Sequence, residues 1–538
     1  MIKELTVSLS PETAASDEAL HKLLSSKLNR KDGRLNEWRV KRRSIDARRN
    51  PVRVNLTVIC AQGEDLKVPS GYMPVDFRHI KAGAPQVVIV GAGPAGLFAA
   101  LRAIELGWKP VVLERGKDVE SRRADITELN RNGFVSPDSN YCFGEGGAGT
   151  FSDGKLFTRS KKRGNVNEIL SLLVQHGAQE EILIDSHPHI GSDRLPHVMK
   201  NIRQSIIENG GEVRFNTKVS GLLLEMKDGE REAVGVYLED GSEVKGPVIL
   251  ATGHSARDVY RFLDQQKVEI EAKGLAIGVR LEHPQKLIDA IQYHSPAGRG
   301  RWLPAAEYSF VAQVDGRGVY SFCMCPGGVV VPAASSPGES VVNGMSASSR
   351  SSIWSNSGMV VELHPGDIPG FSEYGNLEMM ALQEALEHKF FESAEKTLMA
   401  PAQRMKDFCE GKDSKNLPPS SYIPGLIERR LDKLLPTFIA QRLQKGFANF
   451  GKKAKGFLTN EATLIGLESR TSSPVRIPRD KDTLQHIYVK NLYPAGEGAG
   501  YAGGIVSAAI DGRRCVDSLC SMESTIPSRN GTENTPHP

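Results

Sequence analysis

With 538 residues the chain exceeds what one simple hydrophobic core organises, so about two or three domains are expected. A net charge of +4 is too small for a protein built throughout to coat nucleic acid, and any basic partner surface must be local. Seven scattered cysteines lack metal-ligand spacing, which argues against a disulfide framework or a metal site and fits a reducing cytoplasm. No stretch approaches the ~18 apolar residues of a membrane span, and MIKELTVSLSPETAA has no export pattern, so a cytoplasmic protein without a membrane partner is expected.

Residues 1–80 read as a small α/β unit. Alternation at Ile2, Leu5, Val7 and Leu9 predicts a strand, Asp17 is a candidate cap for a helix through Leu28, and VRVNLTVIC (52–60) predicts another strand. Between them lies a basic run from Arg30 and Lys31 through Arg39, Lys41, Arg42 and Arg43 to Arg53. It reads first as a solvated strand face or a docking surface for the larger domain, with a nucleic acid such as RNA as the alternative occupant. KAGAP (81–85) is a plausible linker.

The stretch QVVIVGAGPAGLFAALRAIELGWKPVVLERG (86–116) organises the rest. Four β-formers run into Gly91, Gly93 and Gly96; helical spacing follows to Gly107, and a second apolar run ends in Glu114 and Arg115. This is a βαβ unit with a dinucleotide fingerprint. Gly91 permits the turn, Gly93 lets a pyrophosphate approach the backbone, and Gly96 lets the helix pack on the sheet, with Pro94 and Ala95 opening the helix. Its N-terminus faces the phosphates. Glu114 stands where an acid accepts hydrogen bonds from a ribose diol.

A second glycine-rich stretch, YCFGEGGAGTFSDGKL (141–156), is too rich in glycine for a regular element. It reads as a loop lying flat against the flavin end of a dinucleotide, with Gly147, Gly149, Thr150 and Ser152 as contacts. Residues 164–209 predict two helices; EVRFNTKVSGLLLE, EAVGVYLEDG and SEVKG predict an antiparallel meander; and PVILATG (247–253) returns to the sheet, ending in Ala251, Thr252 and Gly253 beside the cofactor. Val219 lies on the strand expected to meet an adenine through its backbone. From Lys273 to about residue 487 a β-rich segment with short helices reads as an inserted substrate domain. Cys323 and Cys325 within it read as two small apolar strand residues. LYPAGEGAGYAGGIVSAAIDGRRCVDSL (492–519) reads as the closing strand and helix of the first nucleotide domain, through residue 520. There Gly496 and Glu497 face the ribityl chain, and Gly504 and Ile505 begin a helix pointing at the flavin ring. Residues 521–538 predict a disordered tail.

GAGPAG, Glu114, ATG at 251–253 and GEGAGYAGG together resemble the split FAD-binding fold of glutathione-reductase-like flavoproteins. More narrowly, FGEGGAGTFSDGKL, GVRLEHPQ, CMCPGGVVVPA, NGMSASSR and ESRTSSPVRIPRD resemble a family of uncharacterised FAD-dependent dehydrogenases of bacteria and plastids. The resemblance implies FAD binding and an oxidoreductase role without an assigned substrate. It departs from the broader pattern at Glu497, where an aspartate is usual. The leading reading is hydride transfer through flavin N5 to or from an anionic organic substrate. Lys155 and Arg350 are catalytic candidates, and Arg470 is a candidate clamp for a substrate carboxylate or phosphate. NAD(P)H, if it is the donor, has no dedicated domain. An RNA-modifying flavoenzyme and a non-catalytic flavin sensor are the rival readings.

Overall fold

A computed structural model of the chain describes residues 2–28, 34–63, 65–66, 72–158 and 164–523. The N-terminal unit is a three-stranded antiparallel sheet in which Arg53–Gln62 lies between Ile2–Leu9 and Leu35–Asp46. The helix Asp17–Lys27 covers it with Leu20 and Leu24, both buried. Ser16 rather than Asp17 is the cap, its hydroxyl accepting from the Ala19 N–H at 3.3 Å. Much of the described part of the basic run is engaged within the chain. Arg43 forms a two-pronged pair with Asp185 (2.6 and 3.0 Å) and donates its backbone N–H to Ile184 O, while Lys41 pairs with Glu4. Arg30 and Lys31 lie outside the described residues.

The nucleotide-binding domain is a five-stranded parallel sheet. Its order is Leu492–Pro494, Val248–Leu250, Gln86–Val90, Lys109–Leu113 and Glu212–Arg214. Short, β-branched strands buried on both faces are what a parallel sheet covered by helices requires. The segment EVR of 212–214 joins this sheet as its edge, so the meander starts later, at Val219–Lys227, and continues through Glu230–Leu238 and Glu243–Lys245. The strand Leu492–Pro494 enters from the far end of the sequence, as expected of a split domain. The helix that follows, Ile505–Glu523, runs three residues into the expected tail; residues 524–538 lie outside the described ones.

That closing helix packs on Pro94–Glu105, and glycines set the distance. A Cβ on Gly512 would lie 2.0 Å from Ala95 O, and one on Gly96 would lie 1.9 Å from Gly91 O. The first helix is thus clamped between the glycine turn and the last helix, which fixes its N-terminus in space.

The inserted segment forms a seven-stranded sheet. Its order is Val311–Val314, Arg317–Cys325, Trp354–Leu363, Leu275–Pro284, Thr463–Glu468, Ala400–Arg404 and Leu426–Glu428. The helices Glu378–Ser393 and Thr437–Lys453 cover it with Phe390, Leu443, Phe447 and Phe450, each fully buried. One irregularity matters for the site. The pairing of Arg317–Cys325 with Trp354–Leu363 shifts register between Phe322 and Cys325, and Cys323 adopts a left-handed φ of 41°.

Gly512→Val is expected to lower stability by about 1–3 kcal/mol through overpacking against Ala95. Urea denaturation of the apo-protein measures it; an unchanged midpoint would mean that the two helices do not meet this closely.

Candidate functional site

The glycine turn separates into three roles. Gly91 has a φ of +105°, and a Cβ there would meet Ala251 O at 2.5 Å, so strand crowding and backbone conformation both demand glycine. Gly96 is a packing residue behind the turn. Gly93 has an ordinary φ of −76°, and nothing lies within 4 Å of where its Cβ would be. It supplies open space against the backbone, not a special conformation.

Glu114 is 5% exposed and ties this turn to its surroundings. The Ala92 N–H donates to its Oε2 at 2.8 Å, and the N–H groups of Gly116 and Gly144 donate to Oε1 at 2.9 and 3.0 Å. Three backbone donors therefore converge on one carboxylate, and that carboxylate also lines the cleft. Arg115 beside it is held by Asp138 and Asp258 and lies over the Phe143 ring.

The second glycine-rich loop is shaped from behind by Arg122, a residue the sequence did not single out. Its fully buried guanidinium donates to the carbonyls of Asn140, Tyr141, Glu145 and Gly147 at 2.8–3.0 Å. Burial pushes its pKa down to about 10, despite the opposing pull of Glu114, so it stays charged at neutral pH. The loop turns through left-handed glycines at 144, 146 and 147, and a Cβ on Gly147 would lie 3.3 Å from Gly93 Cα. The two glycine-rich stretches thus face each other across the cleft. Gly149 and Ser152 line it, whereas Thr150 does not: it is 1% exposed and donates its hydroxyl to Glu145 O at 2.8 Å.

Together these elements enclose a cleft of about 360 Å³. One side carries Gly93, Pro94 and Ala95; another carries Val219, Ala251, Thr252 and Gly253. Gly504 and Ile505 bring a second helix start to the same space, while Gly496 stands behind the wall and donates its N–H to Asp511. Glu497 faces the cleft half-buried, and its carboxylate accepts no hydrogen bond among the described residues. Burial pushes its carboxyl up to about 7, with Lys273 pulling the other way. Near it, His254 is pushed down to about 4 by burial and by Arg470 and Arg257, and is neutral at physiological pH.

The three catalytic candidates fare differently. Arg470 lines the cleft but has no donor to offer a substrate. Its five N–H groups go to Glu387 (3.2 and 3.0 Å), Glu339 (2.6 Å), Ser335 (2.6 Å) and the Cys142 sulfur (3.7 Å). Arg257 joins the same cluster through Glu387 and Glu339. The expected substrate clamp is therefore a buried ion-pair frame joining the two domains, because two carboxylates distant in sequence reach it first. Arg350 does not line the cleft: it forms a two-pronged pair with Asp153 at 3.1 and 2.6 Å. Lys155 keeps a third of its side chain exposed, with Nζ 3.0 Å from Asp153 Oδ2 and 3.8 Å from Cys325 Sγ. Burial works to lower its pKa, but the Cys325 sulfur and Asp153 outweigh it, so the net direction is up. Cys323 lies on the strand Arg317–Cys325, and at the bulge it is exposed to the cleft.

Two facing helix starts, a paired set of glycine-rich turns and a meander beside a parallel sheet define a dinucleotide-binding protein. Residues 274–471 match the family described as FAD-dependent protein, C-terminal domain-like, and residues 1–61 match a Domain of unknown function (DUF8436). An uncharacterised protein of Clostridium beijerinckii is 41% identical over 518 residues, 93% of this chain and 95% of that one. The chain belongs to the same family as that protein, and its residues 274–471 carry the domain that the FAD-dependent protein family model describes. Among solved structures, a geranylgeranyl bacteriochlorophyll reductase-like protein of Thermoplasma acidophilum is 13% identical with a TM-score of 0.33, over 82% of this chain and 80% of that one. A flavocytochrome c3 fumarate reductase is 12% identical with a TM-score of 0.31, over 82% and 78%. Overlaps this loose say nothing about activity. No helix among the described residues is long and apolar enough to cross a membrane.

Between its ordinary value and about 7, the Glu497 carboxyl holds a proton in the folded state that the unfolded chain has released. Stability contributed by this group therefore falls as pH rises through that window. Glu497→Gln is expected to raise the apo-protein melting temperature relative to wild type at pH 8 and to leave it unchanged at pH 4. The same difference at both pH values would contradict a raised Glu497.

Proposed function

We propose that the chain is an FAD-dependent oxidoreductase acting on a small anionic organic substrate held between the two sheets. The observation that carries this reading is the continuity of one cleft. It starts at the open backbone of Gly93, passes Glu497, and ends against Phe322, Cys323 and Asn343 of the inserted domain.

The residues present fit FAD. The first-turn amides after Gly93 and Gly504 have no acceptor within their helices; the first helix dipole favours the anionic bridge of a dinucleotide and the second the electron-rich edge of the flavin ring. Glu114 spends three acceptor sites on backbone amides and, with about four lone-pair positions, keeps one for a ribose hydroxyl. Glu497 is an unused acceptor where ribityl hydroxyls would lie. Bound FAD supplies hydride transfer. The chain itself supplies the enclosure that excludes water, the Arg470–Glu387–Arg257 frame that holds the domains in register, and the Lys155 ammonium that keeps positive charge at the closed end. NAD(P)H, if it is the donor, shares this cleft. The docked state of Arg43 and Lys41 leaves the RNA reading without a supporting observation.

Gly93→Val tests this directly because the space around its Cβ is open: the apo fold is expected to remain intact by circular dichroism while bound flavin falls by at least about tenfold, the equivalent of a clash costing about 1.4 kcal/mol. Wild-type flavin content in the folded variant would place the phosphates elsewhere.

A further inference from the structure

The closed end of the cleft carries a wall whose polarity is one-sided. Asn343 is exposed there, on the strand Val342–Met345. Its side-chain oxygen receives two donors, Arg280 Nη2 at 2.9 Å and the Gly344 N–H at 2.7 Å. Both partners can only donate, so the orientation of the amide is settled: oxygen inward, Nδ2 toward the cleft. Arg280 is itself fully buried, and its Nη1 donates to Cys323 O at 3.4 Å. Gly344 lets it reach Asn343, since a Cβ there would lie 2.6 Å from Arg280 Nη2.

Lys155 is next along the same wall. Cys325 Sγ lies 3.4 Å from Cys323 O and 3.8 Å from Lys155 Nζ, which makes Asn343, Cys323, Cys325 and Lys155 one contiguous surface. An ammonium has three N–H groups; Asp153 and Cys325 take two, leaving one for the cleft. Asp153 is 3% exposed and has both oxygens engaged by Arg350, so it does not face the cleft as an acceptor. Asp153, Arg350 and Lys155 together carry one positive charge, and the Glu307 carboxyl, which Arg350 and Lys155 help to hold low, is itself paired with His187. His189 adds none, being held low by burial and by Arg350.

We infer that Lys155 and the Asn343 amide form the anchor for a substrate carboxylate, one oxygen on Lys155 Nζ and the other on Asn343 Nδ2, with Arg280 as the positioning residue for Asn343. The inference rests on the proposed FAD cleft and moves the anchor away from Arg470. A wall of donors that includes the Lys155 ammonium selects an organic acid over the corresponding amide, and rejects an amine.

The test uses FAD-loaded protein, with benzoate, benzamide and benzylammonium as probes in titration calorimetry and flavin difference spectra. Benzoate is expected to bind saturably, benzamide at least about tenfold more weakly and benzylammonium not at all, as the loss of one charge-assisted hydrogen bond implies. Lys155→Met and Asn343→Asp are each expected to weaken benzoate by about tenfold or more at unchanged FAD content. Asn343 is exposed, so its variant folds even if removal of Lys155 disturbs Asp153. Benzamide binding as tightly as benzoate, benzoate unmoved by both substitutions, or no benzoate binding to the FAD-loaded protein would overturn the anchor. A folded chain that takes up no FAD overturns the proposed function before any probe is added.

Discussion

The convergence of three backbone N–H groups on Glu114 is the constraint from which the site follows. Ala92 belongs to the first glycine turn, Gly116 to the chain just past the second strand, and Gly144 to the second glycine-rich loop. Neither loop has regular structure to hold it, and backbone donors buried without acceptors would each cost about 1–3 kcal/mol. One carboxylate at a strand end satisfies all three and so sets the spacing between the two glycine-rich stretches. The Gly146 N–H completes the link by donating to Ala92 O at 2.7 Å. The cleft is the gap that this spacing leaves.

Behind the cleft, buried charges are arranged so that each has partners before any ligand arrives. Arg122 braces the glycine loop through carbonyls alone, Arg350 occupies Asp153, and Arg470 and Arg257 share Glu387. Removing one member of such a set strands its partner, typically at about 3–5 kcal/mol. These residues act as scaffold, and the cleft-facing groups that keep spare capacity are Glu114, Glu497, Lys155 and Asn343.

The parallel βαβ core was legible because its signals are local: β-branched runs, glycines at fixed offsets, and an acid at a strand end. Residues 492–519 hold one strand and one helix rather than a whole new unit, and that strand pairs with Val248–Leu250. What escaped was set at long range. Arg470 looked free because Glu387 and Glu339 stand 83 and 131 residues away. The strand Trp354–Leu363 carries Ser355, Asn356 and Ser357 near its start, a polar run that masks an interior strand buried at every position but Trp354 and Glu362. Cys323 lies on a strand as read, but the bulge that exposes it to the cleft is invisible in Cys-Met-Cys. Arg122 sits in a helix of ordinary polar composition, and only the loop it braces marks it out.

The central claim is that this cleft holds a dinucleotide and not merely a flavin ring. Denaturing the purified protein and separating the released chromophore by chromatography measures that directly. The account requires FAD, because it assigns the spare acceptor of Glu114 and the open backbone at Gly93 to the nucleotide half of the cofactor. Release of FMN alone, or no flavin even after reconstitution with FAD, would contradict it.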